Sequence, residues 1–222
     1  MTFSLVGRCA RTGMLGAAVT TSAIGVGARC PFARAGVGAV LTQHRTDPRL
    51  GPLALDLLER GFAAEQALAA VVAATPHRDW RQLAVLDASG DAATFSGARV
   101  RPERGEARGT DCAAIANIVR TPAIPVEMVA AFENALDQPL PDRLLAGLMA
   151  GQSAGGEFRP VVSAALLIVH REIFPYVDLR VDQHDQPIEA LAGLWDAYRA
   201  EADPYVVRAV DPDASAPPPS QV

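Results

Sequence analysis

The sequence predicts an α+β fold in which two antiparallel sheets pack face to face and helices cover their outer sides. Three observations lead there. Strand-like runs come as hairpins and helix-like runs come in pairs, so the chain does not alternate strand and helix as a βαβ array does. Several strand-like runs are apolar on both faces, as a sheet lying between another sheet and a helix layer requires. Half of the 222 residues are hydrophobic and 20% are charged, enough apolar material for a large core.

The elements follow in order. TFSLVGRC (2–9) alternates loosely, ARTGM supplies a turn, and LGAAVTT (15–21) is a second strand, so 2–21 reads as a hairpin. SAIGVGARCPFARAGVG (22–38) is too rich in glycine for a helix and reads mostly as loop. GVGAVLTQ (36–43) is a third strand. PLALDLLERG (52–61) and AEQALAAVVAATP (64–76) carry helical periodicity and end at Gly and Pro stop signals. QLAVLDASGDAATFSG (82–97) is a hairpin around a DASGD turn. RVRPERGEARGTD (99–111) is charged and reads as loop; CAAIANIV (112–119) is a strand. Apolar stripes predict helices at 124–136 and 140–150. VVSAALLIVHR (161–171) suits a central strand, PYVDLRVD (175–182) its partner, and a last helix covers 187–201. One domain over 1–203 is expected, followed by a Pro- and Ser-rich tail at 204–222 read as disordered.

Composition removes several function classes. A net charge of −5 argues against a nucleic-acid binder, which needs a basic face. No apolar run is long enough for a membrane span, and the N-terminus lacks the pattern of a signal peptide, so a cytoplasmic protein is expected. Three cysteines do not make a disulfide framework, and with four histidines no zinc-like spacing occurs, so no metal is expected. All twenty cationic residues are arginine, so no mechanism here uses a lysine as base or Schiff base. The glycine-rich stretches complete neither GxGxxG before a helix nor a P-loop, and there is no GxSxG elbow.

Four segments in order, TFSLVGRCARTGMLGAAVTTS, GVGAVLTQHRTDPRLGPLALDLLERG, AVLDASGDAATFSG and YVDLRVDQH, resemble the domain-of-unknown-function 1028 family. The resemblance runs from residue 2 to about 195. That family is placed with the N-terminal nucleophile (Ntn) hydrolases, and the resemblance implies their four-layer αββα sandwich, in agreement with the grouping above. It also implies a chemistry. In an Ntn hydrolase the first residue of the mature chain, a Thr, Ser or Cys, attacks an amide carbonyl while its own α-amine takes the proton. An α-amine titrates near ~7.7–8, much closer to neutrality than a lysine, so it can act as base. Thr2 would fill that role once Met1 is removed; Thr is also simply a good strand residue.

Other candidates are weighed beside their structural alternatives. Ser22 ends the second strand and either bonds the nucleophile or caps a turn. Gln43 and Asn117 are amides at or inside apolar strands, each a donor to a substrate carbonyl or oxyanion, or a structural bond. Asp178, two residues from Arg180, either orients the nucleophile's amine or pairs locally. His44 and Arg45 stand where the family usually has small residues; they select an anionic group or form a surface pair. Cys30 is the rival nucleophile, with core packing as its plain alternative. The expected reaction cleaves a small amide or peptide-like bond with no metal or organic cofactor. The alternatives are an inactive binding module for a small metabolite and an oligomeric scaffold. A homodimer fits all three.

Overall fold

The computed structural model describes residues 1–215, and its elements divide cleanly by hydrophobic pattern. In chain order they are β1 Thr2–Arg8, β2 Leu15–Thr21, β3 Pro31–Arg34, β4 Gly38–His44, α1 Leu50–Glu59, α2 Ala64–Ala74, β5 Arg81–Asp87 and β6 Ala92–Ser96. There follow β7 Arg104–Gly109, β8 Cys112–Asn117, α3 Ile124–Asn134, α4 Leu140–Ser153, β9 Ser163–Val169, β10 Val177–Val181, α5 Pro187–Tyr198 and α6 Ala202–Val210. The larger sheet runs β10-β9-β2-β1-β8-β7 and the smaller β3-β4-β5-β6. Every neighbouring pair is antiparallel.

Strands that are buried throughout explain the layering. β1 and β2 bury alternate side chains on opposite faces. Phe3 and Leu5 join Met128, Phe132 and Leu144 under the helix layer of α3, α4 and α5. Val6, Val19, Leu41 and Ile115 fill the space between the two sheets. Val40, Val85, Leu55 and Leu68 bind α1 and α2 to the far side of the smaller sheet. The molecule is therefore a four-layer αββα sandwich, the fold class the sequence predicted. Gly16 marks how tightly the central strands pack: a Cβ there would stand 2.5 Å from the Leu167 carbonyl oxygen.

Two strands fall where loop was expected. β3 lies within 22–38; it is four residues long and starts at Pro31, and a proline without an N–H is tolerated at the start of an edge strand. β7 lies within 99–111, where exposed Arg104, Glu106 and Arg108 alternate with half-buried Gly105, Ala107 and Gly109. This is a period-two strand with small residues inward, and its charges protect a sheet edge from pairing with other chains. The last helix region is also corrected. α5 ends at Tyr198, and α6 covers the first residues of the segment read as a tail. It is docked by buried Ala202, by the Tyr176 hydroxyl donating to Asp203 at 3.0 Å and by Tyr205 stacked on Tyr198. Residues 216–222 of that tail lie outside the described residues.

Candidate active site

β1 sits in the middle of the larger sheet, between β2 and β8, and Thr2 is its first residue. The register sets Thr2 opposite Asn117 on β8 and Phe3 opposite Thr20 on β2, so Thr2 and Thr21 lie side by side. Their hydroxyl oxygens are 3.3 Å apart, and both donate to the carbonyl oxygen of Met1. This end of the strand opens into a cleft of about 260 Å³ whose walls include Thr2, Ser22, Cys30, His44 and Arg159. A larger cleft, about 550 Å³, lies between α2, β6 and β7, with Leu68, Val72 and Phe95 in its wall and no serine, cysteine or histidine.

The loop after α4 adds a residue that sequence reasoning missed. The Glu157 carboxylate accepts the Ser22 N–H, at 3.1 and 3.3 Å to its two oxygens. Its backbone forms a bridge with Val119, and its carbonyl accepts the Arg120 Nε–H at 3.1 Å. Its side chain is buried, and that burial pushes the carboxyl up to about 7, against the opposing pull of the Ser22 and Thr21 donors and the chain's amine. Burial likewise lowers the Met1 amine; Glu157 and Cys30 oppose that shift and Arg101 adds to it. No periodicity or motif marks Glu157 in the sequence. The signal, visible only in retrospect, is the Gly155–Gly156 pair before it, both at positive φ, which turns the chain back toward the sheet.

The two amide candidates belong to a different structure. The Ser4 hydroxyl donates to Gln43 Oε1 at 2.7 Å, and Gln43 Nε2 donates to Gln82 Oε1 at 2.7 Å. Asn117 Nδ2 donates to the same oxygen at 3.0 Å, while Gln82 Nε2 reaches the Ser96 hydroxyl at 2.9 Å and the Ala116 carbonyl at 3.0 Å. This chain of amides ties the two sheets together. Gln43 is fully buried with both ends of its amide engaged, so the substrate-binding expectation for it is corrected to an inter-sheet bond. Asn117 is also fully buried, and its amide nitrogen is held by Gln82, so the structural alternative holds for it too. Its Oδ1 is buried without a partner.

The remaining candidates separate into those in the cleft and those outside it. Ser22 is in it, half-buried. His44 is in it as well, at a positive φ of 70°, with its ring stacked on Trp80. His44 Nδ1 lies 2.9 Å from the Trp80 carbonyl, which makes that nitrogen the donor and leaves Nε2 to accept the Arg101 N–H at 3.4 Å. Burial lowers its pKa, so it stays neutral. Arg45 points away, its guanidinium 5.8 Å over Trp80. Asp178 is exposed on β10, at the sheet edge three strands from β1, and is clamped by Arg180 at 2.8 and 2.9 Å. The expected orienting role is therefore corrected to the local pair. Cys30 lines the cleft, but burial pushes its thiol up to about 11, so it carries no thiolate at neutral pH.

Among the described residues no cluster of three or more His, Cys, Asp or Glu could hold a metal ion, and no helix is long and apolar enough to cross a membrane. The model of a family described as "Family of unknown function (DUF1028)" matches residues 2–191. The crystal structure of a protein from Silicibacter pomeroyi, described under the same family, is 30% identical with a TM-score of 0.85, over 92% of this chain and 89% of that one. Anbu (ancestral beta-subunit) from Yersinia bercovieri is 11% identical with a TM-score of 0.43, over 99% of this chain and 100% of that one. No curated protein matches the chain.

Proposed function

The chain belongs to the DUF1028 family, and from that premise and the geometry of the cleft we propose that it is an amidohydrolase of the N-terminal-nucleophile type. The observation that carries the reading is the place of Thr2. It is the first residue of a central strand, with its hydroxyl in a cleft beside a second hydroxyl and next to the peptide bond that precedes it. Cleavage of the Met1–Thr2 bond leaves an α-amine and a hydroxyl on one residue there.

The reaction then follows from those two groups. The Thr2 hydroxyl oxygen attacks the carbonyl carbon of a small amide, and the α-amine takes the hydroxyl proton. The tetrahedral intermediate collapses, the C–N bond breaks, and that proton passes to the leaving nitrogen. Water, deprotonated by the same amine, attacks the resulting ester; the acyl C–Oγ bond breaks, the amine returns the proton to the Thr2 oxygen, and the acid is released. The Thr21 hydroxyl, which holds the Met1 carbonyl oxygen in this structure, is placed to donate to a substrate carbonyl at the same point. These steps need neither metal nor organic cofactor.

A second reading has its own observation. With Met1 attached, its carbonyl occupies both hydroxyls and the amine of Thr2 is an amide, so the chain would bind a small molecule without turning it over. A panel of small chromogenic amides, assayed with the chain and with Thr2→Ala, separates the two. Turnover that falls at least ~10³-fold in the alanine variant supports the hydrolase, by analogy with loss of a nucleophile elsewhere. Turnover unchanged in that variant refutes it.

A further inference from the structure

One buried carboxylate ties together the strand ends beside the amino end of β1. β1 lies between β2 and β8. Beyond Thr2 those flanking strands continue as Ser22 on one side and Val119 on the other. Glu157 is attached to both: its carboxylate takes the Ser22 N–H and its backbone bridges Val119. It is thereby fixed between the ends of the two strands that flank Thr2. Among the described residues no arginine forms an ion pair with this carboxylate. Arg120 donates its Nε–H to the Glu157 carbonyl and lays its guanidinium over Phe158. A carboxylate buried to 4% exposure with only neutral donors is costly to hold ionised, and a cation arriving beside it removes much of that cost.

We propose that Glu157 is the counter-charge that seats the α-amine of Thr2 and turns its lone pair toward the Thr2 hydroxyl. It is a positioning residue, and the assignment rests on the hydrolase reading above. In the Met1-bearing chain the terminal amine is faced by Glu157 and Cys30 as supporting groups and by Arg101 as an opposing one. His44, Arg29 and Arg159 line the same cleft. His44 is neutral, and Arg29 is held by the carbonyls of Gly25 and Ile24, so Glu157 is the anion best placed to act on the amine. Removing it should lower the amine's affinity for a proton while burial and Arg101 continue to act.

The composition makes this measurable without a substrate. The chain has no lysine, so its α-amine is the single primary amine to label. The probe is the N-hydroxysuccinimide ester of acetic acid, which acylates only the free base; extent against pH is read by mass spectrometry, with the N-terminal residue identified by fragmentation. With Thr2 at the terminus, Glu157→Gln should lower the labelling midpoint by about one pH unit, the effect of losing an adjacent opposite charge. The midpoint should fall below the ~7.7–8 of an amine in water, whereas a variant that merely loosened the fold would move toward that value. Glu157→Asp, which keeps the charge but draws it back by one methylene, should fall between wild type and glutamine. It also decides the matter alone should the glutamine variant fail to fold. A free Thr2 amine whose midpoint is unmoved in either folded variant overturns the assignment and leaves the hydrolase reading standing. A terminus still at Met1 overturns both.

Discussion

Cys30 shows how burial decides between two candidate nucleophiles in one cleft. Its sulfur is 3.9 Å from the Thr46 hydroxyl, and the pull of Thr46, Arg29 and the chain's amine does not offset the desolvation that raises its pKa. Folded, the thiol holds its proton until pH reaches about 11; unfolded, it releases it near pH 9. The folded chain thus binds more protons between those values, and this thiol's contribution to stability is fully present below about 9 and lost as pH rises through about 11. Iodoacetamide should therefore leave Cys30 unmodified at pH 7 in the native state and modify it readily after denaturation. Rapid native labelling at pH 7, located by peptide mapping, would restore it as a rival to Thr2. At this scale the sequence showed Thr2, Ser22 and His44, because each lies in or just beyond a strand whose apolar pattern is plain. It did not show Glu157, a lone acid in a loop that becomes meaningful only when the ends of β2 and β8 converge on it. It left Gln43 open between a substrate contact and a structural bond because nothing local shows that an amide at a strand end faces another sheet.

The amide chain between the sheets carries the prediction at the scale of elements. Gln82 Oε1 accepts from both Gln43 and Asn117, and its Nε2 satisfies two further oxygens. Gln82→Leu would strand those buried partners, and each unsatisfied group costs on the order of 1–3 kcal/mol. Urea unfolding should show a loss of at least about 2 kcal/mol. A loss below about 0.5 kcal/mol, the usual effect of a surface change, would mean that the network contributes little. The elements themselves were legible in proportion to their apolar content. β1, β2, β8 and β9 are Val-, Ala- and Leu-rich and fall within a residue or two of their expected bounds. β3 and β7 were not legible, since one opens with proline and the other is built of Arg, Gly and Glu; both are edge strands, which need only half the apolar surface of a central one.

For the whole molecule, three apolar layers are stacked on two shared sheets, so neither sheet has a core that is independent of the other. Unfolding should therefore be one cooperative transition. The two tryptophans test this from opposite sides: Trp80 lies beside the smaller sheet's β4–β5 end, and Trp195 is buried on α5 under the larger sheet. Fluorescence of Trp80→Phe and of Trp195→Phe, each set against its own far-ultraviolet circular dichroism, should give coincident midpoints. Separated midpoints would show that one half opens first. The sandwich as a whole was readable from the grouping of hairpins and helix pairs, while the proposed activity depends on what happens at one peptide bond. The measurement that tests this most directly is the intact mass of the purified, untagged protein, with its N-terminal residue sequenced. The account predicts a chain shorter by one methionine that begins at Thr2 with a free amine; a chain that still begins at Met1 contradicts it.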